Sequence, residues 1–230
     1  MSAAQVPQEK KVSLNERLNE FIQKHRMKLI AGLISIVVIL AGIIIYSTVN
    51  EKLRTSALGK VDALEQRYEE LKMYLSGEDP EALLKQGDIT ALLEDLDTFS
   101  SRNSGFAAAR AYAISGTIFS EQKKWTEAEK AFIASADAAP KAYLAPISIY
   151  NAAVAAEEQK NIQGAIDLFT RSMNYENSFA ARSQFSIGRL EESRNNKSGA
   201  LEAYRILVSK WPSDPVWANL AQSRIVVLSD

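Results

Sequence analysis

Trp125-Thr-Glu-Ala128-Glu-Lys-Ala-Phe132 returns twice further along the chain, as Ile162-Gln-Gly-Ala165-Ile-Asp-Leu-Phe169 and as Ser198-Gly-Ala200-Leu-Glu-Ala-Tyr204. The alanines lie 37 and 35 residues apart. Four residues after each comes an aromatic ring, one turn along the same helical face. Twelve residues ahead of the alanines stand Gly116, Ala153 and Gly188, and twelve residues after two of them stand Pro140 and Pro212. A small residue on one helix and an alanine on the next let two antiparallel helices approach closely. The aromatic then fills the gap toward the following pair. A period of about 34 residues with this pattern means helix pairs stacked into an α-solenoid, so the fold class is all-α.

This pattern resembles the tetratricopeptide repeat. Three copies are readable, at 109–142, 146–179 and 181–214. In the first, Tyr112, Gly116, Phe119, Ala128, Phe132 and Pro140 all match the motif. The second has Ile149, Ala153 and Ala156 where an aromatic, a glycine and an aromatic are usual, and Asn177 replaces the proline. The third keeps Gly188, Ala200, Tyr204 and Pro212 but carries Gln184 and Glu191 at the two aromatic positions. Ile89–Phe99 is read as the second helix of a degenerate earlier repeat, because Ala91 stands 37 residues before Ala128. Thr126-x-x-Glu129 has the form of a capping box, and Asn161 and Ser198 are candidate caps of the equivalent helices. After Asp214-Pro215 a last helix is expected over 216–228, with Trp217, Leu220, Ala221, Ile225 and Leu228 closing the exposed end of the stack. The repeat domain is thus expected over residues 88–230.

Upstream lies a segment of a different kind, Leu29–Val49, LIAGLISIVVILAGIIIYSTV, 21 residues with no charge and no proline. As a helix it reaches roughly 31 Å, the thickness of a bilayer's hydrocarbon core. A single such run in lipid has to be helical, because its backbone polar groups find no partner outside the segment. The alternatives are a cleaved secretory signal and the core helix of a soluble protein. The apolar core is longer than a signal's, and Thr55-Ser56-Ala57, a weak cleavage candidate, lies well past it. Residues 1–28 carry six cations against three anions, three of the cations within the last five residues. The positive-inside rule places this head in the cytoplasm and the tail across the membrane. Within the head, residues 1–12 read as disordered. Ser13-Leu14-Asn15-Glu16 opens a short amphipathic helix, with an ordinary fraying lead-in as the alternative. Residues 50–87 are expected to form a helical stalk and linker, a helix over 50–76 ended by Gly77-Glu78-Asp79-Pro80 and a short helix over 81–86, with another, capped by Asp88, over 89–99.

Composition narrows the function. The net charge is −1, and no basic footprint for nucleic acid is present. There is no cysteine, and His25, the single histidine, sits beside the span. Ser-His and Cys-His pairs and ordinary zinc sites are therefore missing from the tail, and no Gly-rich phosphate loop occurs. The expectation is a non-enzyme without cofactor or metal.

The resemblance implies what the stack does instead. Tetratricopeptide arrays bind protein segments in a concave groove lined by the first helix of each repeat. Carried over, the groove candidates are Arg110, Tyr150, Arg182, Phe185 and Arg189, with Tyr150 and Phe185 as hydrophobic anchors and Arg182 and Arg189 as carboxylate partners. The Lys/Asn/Arg clamp of some members is missing, since Ala113 and Thr117 occupy its first positions. A short basic head, one span and external repeats is the layout of YfgM-type inner-membrane proteins of bacteria, which implies the Sec translocon or periplasmic chaperones as partners. The other expectations are a chaperone-like or ligand-binding accessory of a transporter or outer-membrane assembly system, and self-association through span and stalk.

Overall fold

A computed structural model describes residues 14–75, 82–175 and 179–229. Among them are nine α-helices and no strand. The chain divides into two compact units, residues 1–54 and 55–230. Helix α1, Leu14–Leu71, contributes to both. Its apolar stretch is exposed along its whole length within this chain, with none of the most apolar window buried. That exposure is incompatible with a helix buried in the protein's own core. Ser35 and Thr48 return their hydroxyls to the carbonyls of Ala31 and Ile44, the usual way such side chains are satisfied in an apolar helix. The expected disorder of residues 1–12, the Ser13 cap and the turn at 77–80 lie outside the described residues.

The second unit is the solenoid. After a 3-10 turn, Lys72–Tyr74, come α2 (Ala82–Arg102), α3 (Gly105–Glu121), α4 (Trp125–Ala138), α5 (Leu144–Glu158), α6 (Ile162–Met173), α7 (Phe179–Ser193), α8 (Lys197–Lys210) and α9 (Trp217–Ser229). Each helix from α2 onward packs on its neighbour in sequence. The first helices α3, α5, α7 and α9 also touch one another in succession, whereas α4, α6 and α8 have no contact of that extent. First helices that meet while second helices fan apart make the first helices the inner layer.

The expected packing is present at each repeat. Ala128, Ala165 and Ala200 are fully buried. Phe132 lies across Gly116, where a Cβ would stand 2.7 Å from the ring, and Tyr204 lies across Gly188, where it would stand 2.5 Å away. Phe132 also reaches Ala152 and Ala155 of the next first helix, and Tyr204 reaches Ala218 and Ala221. The turn inside each pair is built three times over. Lys123, Lys160 and Asn195 take left-handed φ of 57°, 62° and 60°. The following N–H groups of Lys124, Asn161 and Asn196 donate to the carbonyls of Phe119, Ala156 and Glu191 at 2.8, 3.0 and 2.8 Å. This is the six-to-one closure of a helix C-terminus.

Several local expectations are corrected. The segments read as two helices, 81–86 and 89–99, are one helix, and Asp88 sits inside it, accepting from Lys85. Ala91 is exposed, so it is not the counterpart of Ala128. Instead Ile89, Leu92 and Leu96 face inward and pack with Val61, Leu64 and Tyr68 of α1 and with Ala111, Ile114 and Ile118 of α3. The C-terminal part of α1 therefore shares one buried cluster with α2 and α3. Thr126 and Glu129 form no capping box, because both hydrogen-bond to the Gln159 amide at the end of α5. The cap of α8 is Asn196, which accepts from Gly199 N–H at 3.2 Å, and Ser198 donates to that same asparagine. Asn161 caps α6 as expected. In α9, Asp214 accepts from the N–H groups of Val216 and Trp217. Trp217, Ala221, Ile225 and Leu228 cover the stack, but Leu220 points outward, 44% exposed.

A row of serines not foreseen from the motif runs through the core. Ser135 donates to the Ala109 carbonyl at 2.8 Å and meets Ser148 at 2.8 Å. At the equivalent place Ser172 donates to the Pro146 carbonyl and accepts from Ser183. The second helices α4 and α6 are thus each tied to the first helix of their own repeat and to that of the next.

Candidate functional site

The inner layer is where the family's first helices present side chains, and four of the five expected residues are on α5 and α7. Tyr150 is buried, 7% exposed, with its ring edge-on to Phe169 at 5.1 Å and near Phe179 at 5.6 Å. It holds α5, α6 and α7 together and has little surface left for a ligand. Phe185 is half-buried, between Tyr204 at 5.3 Å and Trp217 at 5.4 Å.

The arginines divide into engaged and free. Arg110, on α3, is bound to Asp62 at 2.6 Å and to Glu65, both on α1. Burial works against its charge, but the hydrogen bonds it donates to Glu65 and Asp62 outweigh it and hold its pKa above the ordinary value. Arg189 makes a two-pronged contact with Glu157 of α5, at 2.5 and 2.6 Å. Those hydrogen bonds hold its proton more tightly still. Thirty-five residues on, the same rung recurs between Arg224 of α9 and Glu192 of α7. Glu192 also accepts from the Tyr204 hydroxyl at 2.6 Å. Its carboxyl is held below the usual range, chiefly by the hydrogen bond from Arg224. The Tyr204 hydroxyl is pushed up, first by burial and then by that carboxylate. Between α3 and α5 the rung is missing, since Ser120 and Val154 occupy the corresponding positions.

Arg182 is different. Its guanidinium stacks over the Tyr150 ring at 4.5 Å and faces the Trp217 ring at 5.8 Å. It has no carboxylate partner among the described residues. Two rings from neighbouring repeats thus hold an exposed, planar cation on the inner layer with its N–H groups available. The recurrence of Glu157 with Glu192 and of Arg189 with Arg224 was present in the sequence as a second 35-residue repeat, and it separates the structural arginines from Arg182. Among the described residues no group of three or more His, Cys, Asp or Glu is placed to hold a metal ion.

A family model for the tetratricopeptide repeat matches residues 115–173 and 150–215. The chain is similar to a TPR repeat-containing protein of Treponema pallidum (strain Nichols), with 29% identity over 228 residues and 93% of each chain covered. It is also similar to a crystal structure of nearly identical TPR-like repeats assigned to a kinesin light chain of Podosopora anserina. That likeness has a TM-score of 0.52 at 13% identity and covers 73% of this chain and 86% of the other, so it is one of fold alone. Repeats of this kind are typically non-catalytic scaffolds for protein interaction.

Proposed function

We propose that this chain, whose residues 115–215 are tetratricopeptide repeats, is a membrane-anchored adaptor that grips a segment of another protein on its inner helix layer. In this reading the apolar part of α1 spans a bacterial inner membrane, with the N-terminus in the cytoplasm and the repeats in the periplasm. The partner belongs to the protein-translocation or envelope-assembly machinery.

The observation that carries the reading is Arg182, a cation oriented by two aromatic rings and lacking a carboxylate partner among the described residues. Its neighbours Arg189 and Arg224 are neutralised within the fold by Glu157 and Glu192, which leaves Arg182 as the unpaired one of the three. A carboxylate of the bound segment suits it, with Phe185 and Trp217 beside it for an apolar side chain. The anchor is favoured over a cleaved leader by α1 itself. A cut at Thr55-Ser56-Ala57 would fall inside a helix that goes on to bury Val61 completely. The translocon and periplasmic chaperones enter through the layout shared with YfgM-type proteins.

The test is a pull-down of the full-length chain in detergent, with and without Arg182→Glu. Translocon or periplasmic chaperone subunits should copurify with the natural chain and be lost with the variant, whose exposed side chain leaves the core intact. Copurification unaffected by the charge reversal would overturn the assignment to the inner layer. Recovery of only unfolded clients would replace the scaffold reading with a chaperone-like one.

A further inference from the structure

Phe106, Tyr143 and Phe179 each stand within one residue of the start of α3, α5 and α7. The Phe106 and Tyr143 rings meet at 5.6 Å, while Phe179 lies 5.6 Å from Tyr150. At the turn edge of the stack Tyr143 and Phe179 line a cleft of about 410 Å³, together with Pro146, Ile147, Tyr175 and Lys141. This volume lies within the range of sites that enclose small ligands or single large side chains, about 300–1,000 Å³. Tyr143 is 73% exposed, too much for a ring whose role is to complete the core.

We infer that this cleft is a second docking point, which takes an aromatic side chain of the partner segment with a carboxylate beside it. The inference rests on the reading that the chain binds protein segments. Aromatic rings and two prolines offer flat apolar walls, and aromatic pairs gain from edge-to-face or offset contact beyond the area they bury. The carboxylate follows from charge complementarity. Among the described residues of the lining Lys141 alone is charged, and it has no ion-pair partner among the described residues. The helix that starts here, α5, has no side chain capping its first turn, so its positive end faces the same edge. Ile147 stands where Arg182 stands one repeat later, which makes the cleft continuous with the inner layer.

The probe is the peptide acetyl-Asp-(4-fluoro-Phe)-Glu-amide, titrated into the full chain in detergent micelles and followed by fluorine NMR. Saturable broadening and shift of the fluorine signal are expected. Lys141→Glu should weaken binding by about fivefold or more, as should replacing Asp and Glu of the peptide by Asn and Gln. Tyr143→Ala should weaken it by about fivefold. Both substitutions are at exposed side chains, so folding is not at stake. Absence of saturable binding, or binding indifferent to Lys141 and Tyr143, would overturn the inference. If copurification depends on Arg182 while the peptide ignores both cleft residues, the inner-layer reading stands and the cleft reading falls.

Discussion

Gly188→Ala should destabilise the solenoid, although alanine is the better helix former. The added Cβ would stand 2.5, 2.7 and 2.8 Å from three carbons of the Tyr204 ring. That ring cannot swing away cheaply. It is 1% exposed, its hydroxyl is held by Glu192 at 2.6 Å, and Phe185 backs it at 5.3 Å. Overpacking of this kind costs about 1–3 kcal/mol. Alanine in a helix interior returns about 1 kcal/mol. With the ring pinned, the overpacking falls at the upper end of its range, about 2–3 kcal/mol, so the net loss is about 1–2 kcal/mol, or a fall in Tm of about 2–8 °C for a unit of this size. Gly59 supplies the control, because a Cβ there meets nothing within 4 Å. Gly59→Ala should therefore raise stability by about 0.5–1 kcal/mol. The assay is thermal unfolding of the full chain in detergent, followed by tryptophan fluorescence. Trp125, Trp211 and Trp217 are its three tryptophans, and all belong to the solenoid. If Gly188→Ala melted with or above the natural chain, as Gly59→Ala should, the close approach of α7 and α8 would not be what glycine is there to permit.

Other expectations follow from the same packing. Ala128→Leu, Ala165→Leu and Ala200→Leu should each cost about 1–3 kcal/mol in the same fluorescence melt, since all three alanines are fully buried. Ser135→Ala should cost about 1–2 kcal/mol in urea titration, because the Ala109 carbonyl loses its buried donor while Ser148 loses its neighbour. The Glu192 carboxyl has a depressed pKa, so its contribution is present above the unfolded value of about 4.3 and is lost as pH falls through the folded value. The stability difference between the natural chain and Glu192→Gln should accordingly shrink as pH is lowered from about 6 to about 3, and a difference that grew would contradict the assigned hydrogen bonds.

The repeats were legible because their signals are steric and periodic. An alanine, a ring four residues on and a small residue twelve before are set by helix contact alone, and Ala128, Phe132 and Gly116 meet as that logic requires. The first turn of α9 and the Asn161 cap were readable for the same reason, since one local hydrogen bond decides each. Misreadings arose where a long-range partner outcompeted the local one. Gln159 reaches from the following repeat to both Thr126 and Glu129 and removes their capping role. At α2 the spacing of Ala91 suggested a repeat, but the side chains α2 buries are Ile89, Leu92 and Leu96, in one cluster with residues of α1 and α3. The site shows the same division. Family positions placed Arg110, Tyr150, Arg182, Phe185 and Arg189 on first helices but could not say which of them the fold itself engages. Glu65 and Asp62 engage Arg110 and Glu157 engages Arg189, a pairing the 35-residue recurrence as Glu192 and Arg224 marked in the sequence, while the rings on either side of Arg182 are seen only in the structure.

Photo-crosslinking from the inner layer of the full-length chain in intact cells tests the adaptor reading most directly. A benzoyl-phenylalanine at position 154, half-buried on α5, is compared with one at position 202, exposed on α8. The account predicts a discrete protein adduct from position 154 that disappears with Arg182→Glu, and none from position 202. Equal adducts from both positions, or an adduct from 154 that survives the charge reversal, would contradict it.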